Sequence, residues 1–302
     1  MASAQQLIGR CVRALREQRR MTLEQLAAQA RITYQYLSGL ENGKENFTIG
    51  VLEKIADALH FPISELVTAA YHEEDALKAP HLDAKYFRRD VPLPEGLTAK
   101  HLEAASNQAM LVIHRINWHL ISATGRPLQR FVQGNNFSGL VSNILCDALD
   151  ANSPYKHNSH QRHSDLVNPD AKRHKGEGLE VKATIKVGKG GESHNGHGGW
   201  HLIACYQSDK AGDVRFLHLM CAALNDHRSE APDWKYVGSQ VNVATGSQRT
   251  ETYVTTRSGT TKLRDGSVYI DPSIDYRRWR QERGGQPMPP WSIFFRQPEN
   301  SS

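Results

Sequence analysis

The chain has 302 residues, 39% of them hydrophobic and 23% charged, with a formal net charge of +5. That length suggests two domains, and the composition is that of a folded chain, which excludes pervasive disorder. No run approaches the roughly 20 apolar residues of a membrane-spanning helix and the start lacks an apolar signal core, so a cytoplasmic protein without membrane contact is expected.

Leu7, Ile8, Cys11 and Leu15 recur at three- and four-residue steps and predict a first helix. Thr22, with Gln25 three residues later, has the capping-box pattern, and Leu23, Leu26, Ala27 and Ala30 continue it as a short amphipathic helix. After Arg31-Ile32, Thr33 can cap another helix with Tyr36 or Leu37 and Leu40 inward, closed by Asn42-Gly43. So short a link forces the two helices to cross steeply, as in a helix-turn-helix. A fourth helix is predicted from Ile49 to Leu59 and a fifth begins at Ile63.

The stretch "QLAAQARITYQYLSGLENGK" resembles the phage-repressor (Cro-like) helix-turn-helix family, over about residues 6 to 67. The resemblance implies that the second of these helices enters the major groove. Tyr34, Gln35, Ser38 and Gly39 then meet base edges, with Gln35 suited to bidentate reading of adenine, while Asn42 and Lys44 meet phosphates. Gly39 departs from the pattern by offering no side chain.

Residues 71 to 97 hold three prolines and no sustained period, and read as a linker between residues 1 to 70 and a second domain spanning 98 to 302. Two helices are predicted there, the first from Thr98 with His101, Ala105, Met110, Ile113, Ile116 and Leu120 on one side. The second runs from Phe137 to Ala151 with Leu140, Ile144, Leu145 and Leu149 on one side. Beyond Ser153 the period becomes two. Strands are expected at Ser164 to Val167, Gly178 to Val187, Trp200 to Gln207, Val214 to Leu224, Tyr236 to Ala244, Glu251 to Arg257 and Val268 to Ile270. The fold class is thus multidomain, α followed by α/β: a five-helix helix-turn-helix bundle, then a mixed β-sheet flanked by helices.

In "GLEVKATIK", Leu179, Val181, Ala183 and Ile185 share one strand face, and Glu180, Lys182, Thr184 and Lys186 the other. If the strand carrying "SDLV" pairs beside it, Asp165 brings a second carboxylate to the same end of the sheet. Two carboxylates with phosphate oxygens suit Mg2+, and a neighbouring lysine can orient the attacking water or stabilise developing charge. An acidic residue two before lysine occurs four times in the chain, at Asp83, Asp170, Glu180 and Asp233. Only Glu180 stands in an alternating strand with another acid about fifteen residues upstream. Asp170 competes for that upstream place, but lies in the turn signal "NPD".

Over roughly residues 137 to 207 the arrangement resembles the PD-(D/E)xK nuclease superfamily, whose members include most restriction endonucleases. The resemblance implies a restriction-endonuclease-like fold, Asp165 and Glu180 as Mg2+ ligands, and Lys182 as the catalytic lysine. Ser164 stands where the family often has proline. Lys186 and Lys189, in a glycine-rich loop, and His163, in "YKHNSHQRH", are further candidates for DNA contact. The remaining histidines of that run and of "ESHNGHGGWH" lack the spacing that fixes a zinc site. "DYRRWRQER" reads either as a DNA clamp or as a solvated amphipathic helix. Four scattered cysteines read as reduced and buried.

These features predict a Mg2+-dependent type II restriction endonuclease acting on double-stranded DNA as a homodimer, its helix-turn-helix aiding target recognition or autoregulation. The rival from another class is a non-catalytic helix-turn-helix transcriptional regulator with a C-terminal ligand-binding or dimerisation domain.

Overall fold

The computed structural model describes residues 3–19, 21–64, 66–68, 70, 79–158, 164–172, 178–193, 196–238 and 252–295. They form two compact units, Met1–Ala79 and Pro80–Ser302.

The first unit is helical: α1 (Ala4–Gln18), α2 (Leu23–Gln29), α3 (Tyr34–Glu41) and α4 (Ile49–Ala58), with the described residues of 63 to 70 also helical. Each start has a chemical cause. Ser3 and Thr22 both form reciprocal capping boxes, with Gln6 and Gln25, and the Thr33 and Thr48 hydroxyls accept from the backbone N–H three residues on. Leu7, Ile8, Val12, Leu26, Ala27, Leu37, Leu40, Leu52, Ile55, Leu59 and Leu66 converge in one core. Their spacing makes each short helix amphipathic, and the shared core supplies stability that helices this short lack alone.

The second unit is built on a six-stranded mixed sheet in the order β1-β2-β3-β5-β6-β9. Its strands are β1 (Lys156–His157), β2 (Leu166–Val167), β3 (Gly178–Thr184), β5 (Gly199–Ser208), β6 (Val214–Leu224) and β9 (Ser267–Ile270). β3 and β5 run parallel and the other neighbours antiparallel. Two helices, α5 (Ala99–Thr124) and α6 (Gly134–Asn152), pack on one face against Leu179, Val181, Leu202, Ala204, Phe216 and Leu219. The opposite face, with Ile203, Cys205, Met220 and Leu224, lies under Trp234, Tyr253 and Leu263. These cover residues come from a three-stranded sheet, β4 (Glu192–Ser193), β8 (Thr252–Thr255) and β7 (Trp234–Gly238), and from α7 (Arg257–Asp265). Burial on both faces explains why "HLIACY" in β5 is apolar almost without alternation.

Several expectations shift. Residues from Pro80 belong to the second unit, where Leu82, Phe87, Val91 and Leu97 are buried in its core and Phe87 bridges to Tyr269. In α5 the inward residues are Leu102, Ala105, Ala109, Met110 and Ile113, while His101, Ile116 and Leu120 are only half-buried. In α6 they are Val141, Leu145, Cys146 and Leu149, with Leu140 and Ile144 half-buried. β3 stops at Thr184, leaving Ile185 exposed. The strand expected from Tyr236 runs instead from Trp234 to Gly238, and residues 239 to 250 lie outside the described ones. Arg257 begins a helix rather than ending a strand. All four cysteines are buried and none forms a disulfide. Among the described residues no helix is long and apolar enough to cross a membrane.

Candidate functional site

Two surfaces carry the candidate residues, one in each unit. On the first, Thr33 caps α3 so that its opening turn faces outward: Tyr34 and Gln35 are exposed and Ser38 is half-buried. Asn42 ends the helix, its Nδ2 donating to the Ser38 carbonyl at 2.7 Å, and both Asn42 and Lys44 are exposed. Gly39 has a packing reason. A Cβ there would stand 2.5 Å from Glu45 Cγ, so the glycine makes room for the Glu45 side chain against α3. Tyr36 Oη also donates to the Asn46 carbonyl at 2.6 Å, which ties the following loop to the same helix.

On the second unit, Asp165, Glu180 and Lys182 meet at the floor of a cleft of about 1520 Å3. β2 pairs with β3 through Leu166 opposite Leu179 and Val167 opposite Gly178. Just before β2 begins, Asp165 Oδ2 accepts from the Val181 N–H at 2.8 Å. The side chain thus extends the hydrogen bonding of a two-residue strand, which gives Asp165 a structural role whatever its chemistry. From the other side Ser142 Oγ of α6 donates to the Val181 carbonyl at 2.8 Å, so the backbone between Glu180 and Lys182 is gripped at both groups. Lys182 Nζ donates to Glu180 Oε1 at 2.8 Å. His197 Nε2 stands 3.7 Å from Glu180 Oε2.

The electrostatics differ between the two acids. Burial, then the nearby Glu180 charge, raises the pKa of Asp165 above the usual carboxylate range. Burial would also raise Glu180, but the Lys182 ammonium more than offsets it and holds that group below its ordinary value. His201, opposite Glu180 in the β3–β5 pairing, is pushed down to about 4 by burial and is neutral. Its Nδ1 lies 2.9 Å from the Gly199 carbonyl, which fixes the proton there and leaves Nε2 an acceptor with no partner among the described residues.

Two neighbouring carboxylates beside a lysine match the donor set of a hard divalent cation that keeps several waters and takes further oxygens from phosphate. Asp165 and Glu180 are the residues that could hold it. Among the described residues no group of three or more His, Cys, Asp or Glu side chains is placed to bind a metal, and His160, His163 and His194 of the histidine-rich runs lie outside them. Asp170 lies exposed in its turn, its N–H bonded to Asn168 Oδ1 at 3.0 Å, away from the cleft. Lys186 and Lys189 line the cleft, Lys186 lying 3.6 Å from Glu192, and His163 falls outside the described residues. Arg130, Arg257 and Arg278 also line it. Only Arg278 had a sequence signal, in "DYRRWRQER"; Arg130 and Arg257 stand alone in segments without a basic cluster.

Comparison with known proteins bears chiefly on the first unit. Residues 12–66 match the helix-turn-helix family HTH_3. The chain is 27% identical over 136 residues to the immunity repressor protein of Bacillus phage phi105, an alignment covering 41% of this chain and 91% of that protein. Among solved structures, the clp gene regulator ClgR of Corynebacterium glutamicum is 25% identical, with 24% of this chain and 95% of that chain covered and a TM-score of 0.24. The restriction-modification controller protein C.AhdI of Aeromonas hydrophila is 29% identical, with 20% and 94% covered and a TM-score of 0.20. The N-terminal unit therefore carries a Cro/C1-type helix-turn-helix domain, with a phage repressor among its relatives.

Proposed function

We propose that this protein is a sequence-reading DNA regulator that inserts α3 into the major groove. The observation that carries the reading is the outward first turn of a capped α3, with Tyr34 and Gln35 exposed, inside a matched helix-turn-helix domain. Similarity to a protein named as a repressor supports it. Gln35 reads an adenine edge, Tyr34 and Ser38 contact neighbouring bases, and Asn42 and Lys44 hold phosphates. A homodimer would match a palindromic operator. Selection of bound duplexes from a random pool by the full chain should enrich one symmetric sequence. Enrichment of no sequence would sink this reading.

A second reading is favoured by a specific observation, the convergence of Asp165, Glu180 and Lys182 in one cleft of a chain that also carries a helix-turn-helix domain. Under it the C-terminal unit is restriction-endonuclease-like and hydrolyses DNA phosphodiesters. Asp165 and Glu180 would hold Mg2+, which when bound polarises the scissile phosphate and acidifies a water. Lys182 orients water or stabilises charge gathering on the phosphate. Ser142 and Asp165, through Val181, hold the strand that carries both Glu180 and Lys182. Methylated and unmethylated plasmids incubated with Mg2+ decide between the readings. Discrete fragments from the wild type and none from Lys182→Ala or Glu180→Ala support the nuclease; tight binding without cleavage of either plasmid leaves the regulator.

A further inference from the structure

The segment "DYRRWRQER" is not a solvated amphipathic helix. Arg277–Arg283 forms 3-10 turns in which the residues alternate between anchors and free charges. Trp279 is buried, stacked on the His218 ring at 5.2 Å and 9°, with the Arg264 guanidinium 4.9 Å from its centroid. It also lies against Gly188, where a Cβ would come within 2.1 Å of the indole. Arg283 is buried in a double hydrogen bond to Asp265, and Glu282 accepts from Arg264 at 2.6 Å. Arg277, Arg278 and Arg280 stay exposed, and among the described residues none of them pairs with a carboxylate.

The cleft has a charge surplus at its rim. Lys182 is matched by Glu180, Lys186 by Glu192 and Arg264 by Glu282. Arg130, Lys189, Arg257 and Arg278 remain, all exposed and without an ion pair among the described residues, against the single unmatched acid Asp165. Small-molecule pockets rarely exceed roughly 1,000 Å3. This wider cleft, with four unmatched cations drawn from four separate segments, fits a polymer with regularly spaced negative charge.

We propose that Arg257 and Arg278, with Arg130 and Lys189, form a clamp for the phosphate backbone of nucleic acid. The chain thereby gains a second DNA-binding surface, distinct from α3. The clamp goes beyond the regulator reading and deepens the nuclease reading by naming what would hold DNA in that cleft, and its test needs neither metal nor cleavage. Trp279 and Arg283 fix the strap in place, so that Arg278 is presented to the backbone without first being ordered.

The test uses the full chain in EDTA, carrying Gln35→Ala and Lys44→Ala to weaken α3, and a fluorescent duplex of about 30 base pairs of arbitrary sequence. Binding should persist, and adding Arg257→Glu with Arg278→Glu should weaken it by about tenfold or more. The same pair should reduce the slope of log affinity against log salt by about two. Arg277→Glu, on the strap but outside the cleft, should change affinity by less than about threefold. An unchanged affinity and slope for the double variant overturns the clamp, as does equal loss for Arg277→Glu. Displacement of the DNA by polyglutamate at matched charge overturns it too, because the surface would then be an acidic-protein site. Should the glutamates unfold the unit by circular dichroism, Arg257→Gln with Arg278→Gln is held to the same criteria.

Discussion

Glu41 of α3 receives two hydrogen bonds from the Arg16 guanidinium of α1, at 2.7 and 2.8 Å, with both side chains buried. Arg16 also donates to the Met21 carbonyl at 3.0 Å, so one residue fastens α3 and the turn before α2 to α1. Removing one partner of such a pair leaves an uncompensated buried charge and costs about 3 to 5 kcal/mol. Glu41→Ala should therefore unfold much of the N-terminal unit, read as helicity lost at a lower urea concentration. Arg16→Met with Glu41→Leu should recover most of that loss. An unchanged urea midpoint for Glu41→Ala would show the pair to be dispensable.

Gln35 and Lys44 should fail differently. Under the proposed groove reading, Gln35→Ala should cost about 1 to 3 kcal/mol on the selected operator while leaving random DNA almost untouched. Lys44→Ala should weaken both alike and lower the salt slope by about one. Titrations of each variant against both duplexes separate the outcomes, and equal losses for Gln35→Ala on the two would remove it from base reading.

The raised pKa of Asp165 has a stability consequence. A carboxyl that holds its proton more tightly folded than unfolded loses stability as pH climbs from the unfolded value, near 3.9, through the folded one, so the penalty is fully present at neutral pH. Asp165→Asn removes the charge and keeps an oxygen for the Val181 N–H. Its melting temperature should exceed the wild type's at pH 7, and the gap should close at a pH well below the unfolded value, where the carboxyl is protonated in both states. A lower melting temperature at pH 7 would mean that the ionised carboxylate stabilises the strand pair.

Gly188 has φ +71 and carries the Trp279 indole directly on its backbone. Gly188→Ala must both strain that conformation and push the ring away from His218 and Arg264, at a cost of about 2 kcal/mol or more. Tryptophan fluorescence should shift to the red as Trp279 meets water, alongside a lower melting temperature. Retention of both values would show that the strap tolerates displacement.

What could be read in advance was local. The Thr22–Gln25 capping box and the apolar spacing of the first four helices depend on residues three or four apart, and the alternation in β3 that sets Glu180 and Lys182 side by side depends on residues two apart. α7 had no such signal, since Leu263 is its one buried large apolar residue; it is held by polar links, Lys262 to Asp233 at 2.6 Å and Thr260 to Thr255 at 2.9 Å. Phe87 looks like a linker residue until Tyr269, far along the chain, supplies the ring it packs against. Arg130 and Arg257 gain meaning only from the cleft that folding places around them.

The Trp279 anchor also separates two things that could be altered independently. The carboxylates and their lysine sit on one strand pair, whereas the strap is secured by an indole, a buried arginine and a glycine that never touch those acids. Exchanging Arg277, Arg278 and Arg280 for other residues while keeping Trp279 and Arg283 would rewrite the surface offered to a partner and leave the chemistry of the floor as it is. The strap is thus a stretch at which exposed charge can be edited without disturbing the hydrogen bonds among Asp165, Val181, Glu180 and Lys182.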